Sequence, residues 1–289
     1  MTVQAAPNSE QARLWNGPSG LAWADQQELL DRLFRPFESL LAEPVAASGA
    51  TRVLDVGCGT GATTLAIARR IGAGADCVGI DISEPMLAVA RTRAEREDVP
   101  ARFICADAQH HVLDPEGFDA LVSRFGVMFF SDPVDAFSRL RHAVRRDGEM
   151  HCIAWRGPQE NPFMTAAERA AAPLLPSLPA RRPDGPGQFS FADPQRVRQV
   201  LQESGWTGIT VEPLDVACTM PESDLVPYLT RLGPVGVLLQ QVDGCMRKRI
   251  IEVVSDAFAP YLQDGEVRFT AACWRIGARA NATKAVCHA

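Results

Sequence analysis

The stretch from Thr51 to Ala62, T-R-V-L-D-V-G-C-G-T-G-A, constrains this chain more than any other. Val53, Leu54 and Val56 form a short apolar run that reads as a buried strand. Gly57, Gly59 and Gly61 follow, and then an apolar-periodic segment begins. The pattern predicts strand, tight turn and helix. Glycine takes positive φ and lets a ligand approach bare backbone, while a helix N-terminus offers unpaired N–H groups and partial positive charge. A ligand with acceptor groups is therefore expected on this turn.

Two cofactors fit such a turn. Gly57, Gly59 and Ala62 satisfy the dinucleotide fingerprint G-x-G-x-x-G/A, and Asp81 ends the next strand where a ribose-binding acid is expected, about 20 residues on. Asp55, at the end of the first strand, separates the readings. A carboxylate aimed into the site repels a pyrophosphate but suits a ligand carrying an ammonium and a sulfonium. V-L-D-V-G-C-G-T-G resembles the first motif of class I S-adenosylmethionine (SAM) methyltransferases.

With 289 residues and 46% hydrophobic content, the chain buries a large core without staples. Eight cysteines, at 58, 77, 105, 152, 218, 245, 273 and 287, form no C-x-x-C pair, so neither a zinc site nor a disulfide framework is expected. A net charge of −6 disfavours a nucleic-acid or membrane-surface binder, and the basic cluster Arg139, Arg141, Arg145, Arg146 reads as a solvated helix face. The N-terminus lacks a cationic start with an apolar run, and no apolar segment approaches about 20 residues. A cytoplasmic protein with no membrane insertion is expected, in which the N-x-T at Asn281 is idle.

Residues 52 to 156 alternate as a doubly wound sheet does. Strands are predicted at 52–56, 76–80, 102–106, 118–123 and 149–155. Helices are predicted at 61–71, after Ser83 as N-cap, and at 133–146. Asp55, Asp81, Asp107 and Ser123 then share the carboxyl edge, where ligands bind at the switch point. Before this core, Asp25 to Leu41 is an amphipathic helix that Pro36 kinks. Trp15 and Trp23 either anchor it to the core or belong to a lid. After Trp155 come a proline-rich stretch (157–193) with a short helix at 163–172 and a helix at 193–204. A strand at 206–216, helices at 222–241 and 244–262, a last strand at 266–276 and a loose tail from Ala278 complete the chain.

D-I-S-x-x-M-L-x-x-A, A-D-A and F-D-A-L-V-S-R-F-G-V-M-F-F-x-D-P resemble the later motifs of the ubiquinone and menaquinone C-methyltransferase-like group, which also methylates oxygen and nitrogen of secondary metabolites. The resemblance implies a Rossmann-like sheet, mostly parallel, with the last strand antiparallel between the fifth and sixth. It implies SAM as cofactor and S-adenosylhomocysteine (SAH) as product. Asp55 and the turn Gly57-Cys58-Gly59-Thr60-Gly61 would hold the methionine part, and Asp81 the ribose hydroxyls. Ile82 and Met86 would pack on adenine, Asp107 with Ala108 would meet its exocyclic amine, and Ser123 would lie near the methionine carboxylate or sulfur. Asp81 has little other evident purpose at a strand end, so Asp81→Ala is expected to fold normally.

The expected division is one domain, 1–289: a SAM-binding core of 45–156 plus 194–216 and 264–277, and a helical cap of 1–44, 157–193 and 217–263. The cap is apolar, and Leu225, Tyr228, Leu229, Leu232, Val235, Leu238 and Leu239 are candidate lining of a chamber for a small, largely apolar metabolite. Methyl transfer needs mainly positioning, with a general base only for a poor nucleophile. His110 and His111 are candidate bases, and Arg124 is a candidate for orienting an anionic or carbonyl substrate. Two alternatives remain open: an NAD-linked oxidoreductase, and a SAM-binding protein that transfers no methyl.

Overall fold

A computed structural model describes residues 9–179, 181 and 185–280. Four helices come first: α1 (Ser9–Asn16), α2 (Pro18–Asp25), α3 (Gln27–Phe34) and α4 (Pro36–Ala47). The single helix expected from Asp25 to Leu41 is divided before Pro36, which has no N–H with which to continue α3. Its apolar stripe persists, with Leu29, Leu30, Leu33, Phe34, Phe37 and Leu41 all buried.

Then follow β1 (Arg52–Val56), α5 (Ala62–Ile71), β2 (Asp76–Asp81), α6 (Glu84–Glu97), β3 (Ala101–Cys105), β4 (Phe118–Arg124), α7 (Pro133–Ala143) and β5 (Val144–Trp155). The remainder is α8 (Phe163–Ala171), α9 (Pro194–Glu203), β6 (Thr207–Pro221), α10 (Leu225–Arg231), α11 (Gly233–Leu238), α12 (Gly244–Asp256), the two-residue β7 (Leu262–Gln263) and β8 (Glu266–Arg279).

The strand order is β3-β2-β1-β4-β5-β8-β6, with β7 paired to β8. Strands β1 to β5 pair in parallel, while β8 runs antiparallel to both β5 and β6. This is the expected mostly parallel sheet with its last strand inserted in reverse. The order turns back between β1 and β4, so the crevice beyond their carboxyl ends is the switch point of the sheet. Val53, Leu54 and Val56 are each no more than 1% exposed, as a strand covered on both faces requires.

Several expected boundaries move. Helix α7 stops at Ala143 rather than Arg146, because Val144 pairs with Phe118 and Arg145 Nε reaches Asp119 at 2.9 Å. Arg145 and Arg146 thus leave the helix that carries Arg139 and Arg141, and the basic cluster forms no single helical face. The helix expected over 222–241 is broken between α10 and α11 at Gly233, whose φ is +70°. Strand β6 runs on past Val216 to Pro221, and β8 extends to Arg279. Ala278 to Ala280 are therefore ordered: Ala280 is buried and its N–H donates to Gly148 O at 3.0 Å. Asn281 and Cys287 lie outside the described residues.

The first two helices are fastened to the end of β2. Asn16 Nδ2 donates to Ile82 O at 2.8 Å, and its Oδ1 accepts from Glu84 N at 3.0 Å. Ser83 stands at the N-cap position of α6 as expected, but its side chain makes no capping bond, and Asn16 supplies the side-chain acceptor for Glu84 N. Ser83 Oγ donates instead to Trp15 O at 2.6 Å. Gly20 allows this docking, since a Cβ there would stand 1.7 Å from Trp15 O and 2.8 Å from Ser83 Oγ. Gly20→Ala is predicted to destabilise by about 1–3 kcal/mol, as overpacking does, and to speed proteolytic cleavage within residues 9–34. Digestion at the wild-type rate would contradict this.

Candidate functional site

The glycine turn is strapped to β2 before any ligand is considered. Gly57 N and Cys58 N both donate to Ile80 O, at 2.8 and 3.2 Å. Asp81, 8% exposed, accepts from Gly59 N through Oδ2 at 2.8 Å and from Ser83 N through Oδ1 at 2.9 Å. Burial raises its pKa, and the backbone donors Ser83, Gly59 and Ile82 oppose the shift. The expectation that Asp81 has little structural purpose is thus corrected: its carboxylate joins the turn to the start of α6.

Asp55 is 1% exposed and sits behind the turn. Thr64 Oγ1 donates to its Oδ2 at 2.6 Å, and its Oδ1 is buried without a partner. Burial pushes its pKa from an ordinary 3.8 up to about 6. An acid whose pKa is raised in the folded state binds protons more tightly there, so its contribution to stability falls as pH rises from about 4 through 6. The offset is worth about 3 kcal/mol. Asp55→Asn is predicted to flatten the loss of stability between pH 4 and 7 in urea titrations. An unchanged slope would show that Asp55 is not the buried acid responsible.

A cavity of about 1020 Å³ opens at the switch point. One wall is formed by Gly57, Gly59, Asp81, Ile82, Met86, Asp107 and Ala108, from the ends of β1 to β3. The lining also includes the aromatic residues Trp15, Trp23, Phe34, Phe125, Phe129, Trp155 and Tyr228. Its volume stands at the upper end of the usual range for small-molecule pockets, about 300–1,000 Å³. Trp15 meets Trp23 edge to face at 5.9 Å and Phe129 at 5.3 Å, so α1 and α2 line the cavity as well as anchoring to it. Phe125 adopts φ +63°, a left-handed conformation rare outside glycine, and stacks on Trp155 at 4.2 Å.

Other expected site residues take other places. Asp55, Cys58, Thr60, Gly61, Ser123, His110 and His111 do not line the cavity. Ser123 Oγ donates to Val56 O at 2.7 Å and accepts from Gly126 N at 3.2 Å, joining the ends of β1 and β4. Gly61 caps α5, and a Cβ on it would meet Ala90 at 3.0 Å and Phe103 at 3.1 Å. His110 Nδ1 lies 3.0 Å from Asp107 Oδ2, and the Oδ1 of that carboxylate accepts from Gln109 N. His110 thus holds Asp107 and does not line the cavity itself. Arg124 does line the cavity, with its Cζ 5.6 Å from the centre of the Phe34 ring.

Arg93 went unnoticed in the sequence. It is 7% exposed, donates to Thr60 O at 2.7 Å and pairs with Asp31 at 2.6 Å, joining α6, the glycine turn and α3. Its spacing from Met86 and Ala90 puts it on the buried stripe of α6, and that spacing was the available signal.

Residues 53–148 match the methyltransferase domain family. Nocamycin O-methyltransferase of Saccharothrix syringae is 33% identical over 243 residues, which cover 78% of this chain and 84% of that protein. The chain belongs to the class I SAM-dependent methyltransferases. Within the methyltransferase group it is also similar to demethylmenaquinone methyltransferase of Renibacterium salmoninarum, 26% identical over 189 residues, 63% of this chain and 77% of that protein. The fold is shared with the YcgJ protein of Bacillus subtilis, with a TM-score of 0.54 at 18% identity over 84% of this methyltransferase and 98% of that chain. It is shared too with the [4+2]-cyclase SpnF, with a TM-score of 0.53 at 19% identity over 86% of this chain and 81% of that one. The cofactor is SAM and the substrate a small molecule.

Proposed function

We propose that SAM lies along the wall from Gly57 and Gly59 to Asp81, Ile82, Met86, Asp107 and Ala108, and that a small, largely apolar acceptor fills the aromatic remainder of the cavity. The observation that carries this reading is the cavity itself, which joins the glycine turn and Asp81 to an aromatic chamber in one continuous space. The donor chemistry fits the cofactor. A Cβ on Gly59 would meet only Met86 Sδ, at 3.7 Å, so bare backbone is open to a ligand there. Asp81 presents a carboxylate suited to ribose hydroxyls, and the partnerless Oδ1 of Asp55 puts negative charge behind the turn, as an ammonium and a sulfonium favour. Among the described residues no group of three or more His, Cys, Asp and Glu suits a metal ion.

When bound, SAM supplies an electrophilic methyl on a sulfonium. The chain's own task is positioning and exclusion of water. Trp15, Phe125 and Trp155 exclude water and offer aromatic faces to a cation, while α1 and α2, held by Asn16 and Ser83, complete the wall. Residues 45–156 with 194–216 and 264–277 form the cofactor core in this reading, and 1–44, 157–193 and 217–263 the cap. No described helix is long and apolar enough to cross a membrane. The cytoplasm is the compartment we propose, supported by the free thiols of all seven described cysteines. Titration calorimetry with SAM, SAH and NADH tests the site: SAM and SAH bind and NADH does not. Binding of NADH alone would transfer the glycine turn to the dinucleotide reading.

A further inference from the structure

We propose that the methyl acceptor is a small apolar oxygen acid that binds already ionised, and that Arg124 holds its negative charge; this rests on the methyltransferase reading of the same cavity. Arg124 ends β4, one residue before the strained Phe125, and lies on the cavity wall. Its Nη1 is buried and has no hydrogen-bond partner. Asp31, Glu38 and Asp55 favour its charge from a distance and oppose the pull of burial on its pKa, but none of them forms an ion pair with it. The other arginine of the wall differs: Arg181 is held by both oxygens of Glu168, at 2.6 and 2.9 Å. The side chain is half-buried, with one nitrogen shut off from water and unpaired, so its charge is incompletely compensated, and the fork of a guanidinium on the cavity wall matches a carboxylate.

The chemistry of the rest of the wall points the same way. No described wall residue is a histidine, lysine or cysteine. The three wall carboxylates are already engaged: Asp81 by two backbone N–H groups, Asp107 by Gln109 N and His110, and Glu168 by Arg181. Those bonds stabilise the ionised form of each carboxylate and so weaken it as a base toward a neutral alcohol. An acceptor that arrives ionised needs no base. Its oxygen lone pair forms the O–CH₃ bond as the S–CH₃ bond breaks, and that electron pair stays on sulfur. An anion and a sulfonium thus become a neutral ester or enol ether and a thioether, with no proton to place. Tyr228 supplies a second donor, since its hydroxyl has no partner among the described residues and burial raises its pKa to about 12, which keeps it protonated.

The test is calorimetric titration of the SAH-saturated protein with naphthalene-2-carboxylate and with the matched amide. The carboxylate is expected to bind at least tenfold more tightly. Arg124→Gln, with SAH affinity retained, removes the preference, and Arg124→Lys restores part of it. Equal binding of the two probes, binding of neither at millimolar concentration, or an unchanged preference in Arg124→Gln would overturn the proposal. Failure of the wild-type protein to bind SAH would instead remove the methyltransferase reading of the cavity, so the two failures are distinguishable.

Discussion

Gly57→Ala abolishes SAH binding and lowers stability by about 2–5 kcal/mol, combining the penalty of a left-handed residue with that of overpacking. Gly57 has φ +69°, and a Cβ on it would stand 2.6 Å from Gly126 Cα. The reverse contact is as tight: a Cβ on Gly126 would meet Val56 O at 2.4 Å and Gly57 Cα at 2.8 Å. Backbone faces backbone here, so no side chain can rotate away to make room. The ends of β1 and β4 must separate, and the floor of the cavity separates with them. Gly72→Ala is the control, because Gly72 has φ +83° but nothing within 4 Å of the added Cβ. It pays only the conformational penalty and keeps SAH affinity. Thermal melts and SAH titrations of both variants decide, and equal loss of binding in the two would show that the Gly57–Gly126 contact is not what shapes the site.

Asp81→Asn weakens SAH binding by about 1.5–3 kcal/mol, the usual range for charge-assisted hydrogen bonds, or roughly ten- to a hundredfold. The substitution keeps the shape but turns one of the two acceptor atoms into an NH₂ group, which then faces the N–H of either Gly59 or Ser83. A lower melting temperature accompanies the weaker binding for that reason. The two effects separate with 2′-deoxy-SAH. The wild-type protein discriminates against the analogue, and Asp81→Asn binds both ligands alike. Continued discrimination by the variant would leave Asp81 as a purely structural tie.

The central part of the fold was legible because it depends on short-range signals. The run Val53–Val56 followed by spaced glycines specifies β1, the turn and α5, and Asp81 falls at the end of β2 as its position in the pattern requires. The reversed insertion of β8 was legible only through the resemblance, since no local signal says which neighbour a strand will choose. Side-chain direction was the weak point. Ser123 is on the right edge, but its hydroxyl is used to tie Val56 and Gly126 together. His110 follows Asp107 closely in sequence yet does not line the cavity, and its ring is bonded to the Asp107 carboxylate instead. Tertiary pairing set the other limits: Val144 leaves a helical pattern to pair with Phe118, and Gly233 breaks a segment whose composition reads as one helix. Arg93 was passed over because arginines on a helix usually face water, whereas this one is held inside by Thr60 O and Asp31.

Methyl transfer itself is tested most directly by incubating the protein with SAM carrying a ¹³C-labelled methyl and a pool of small apolar carboxylic acids, phenols, quinols and amines, followed by NMR. A new protein-dependent methyl resonance is predicted, at the chemical shift of a methyl bound to oxygen, together with SAH formed in equal amount. SAM that binds but yields neither product from any acceptor in the pool would contradict catalysis of methyl transfer to this class of molecule, and SAM left wholly unbound would contradict the assignment of the cavity.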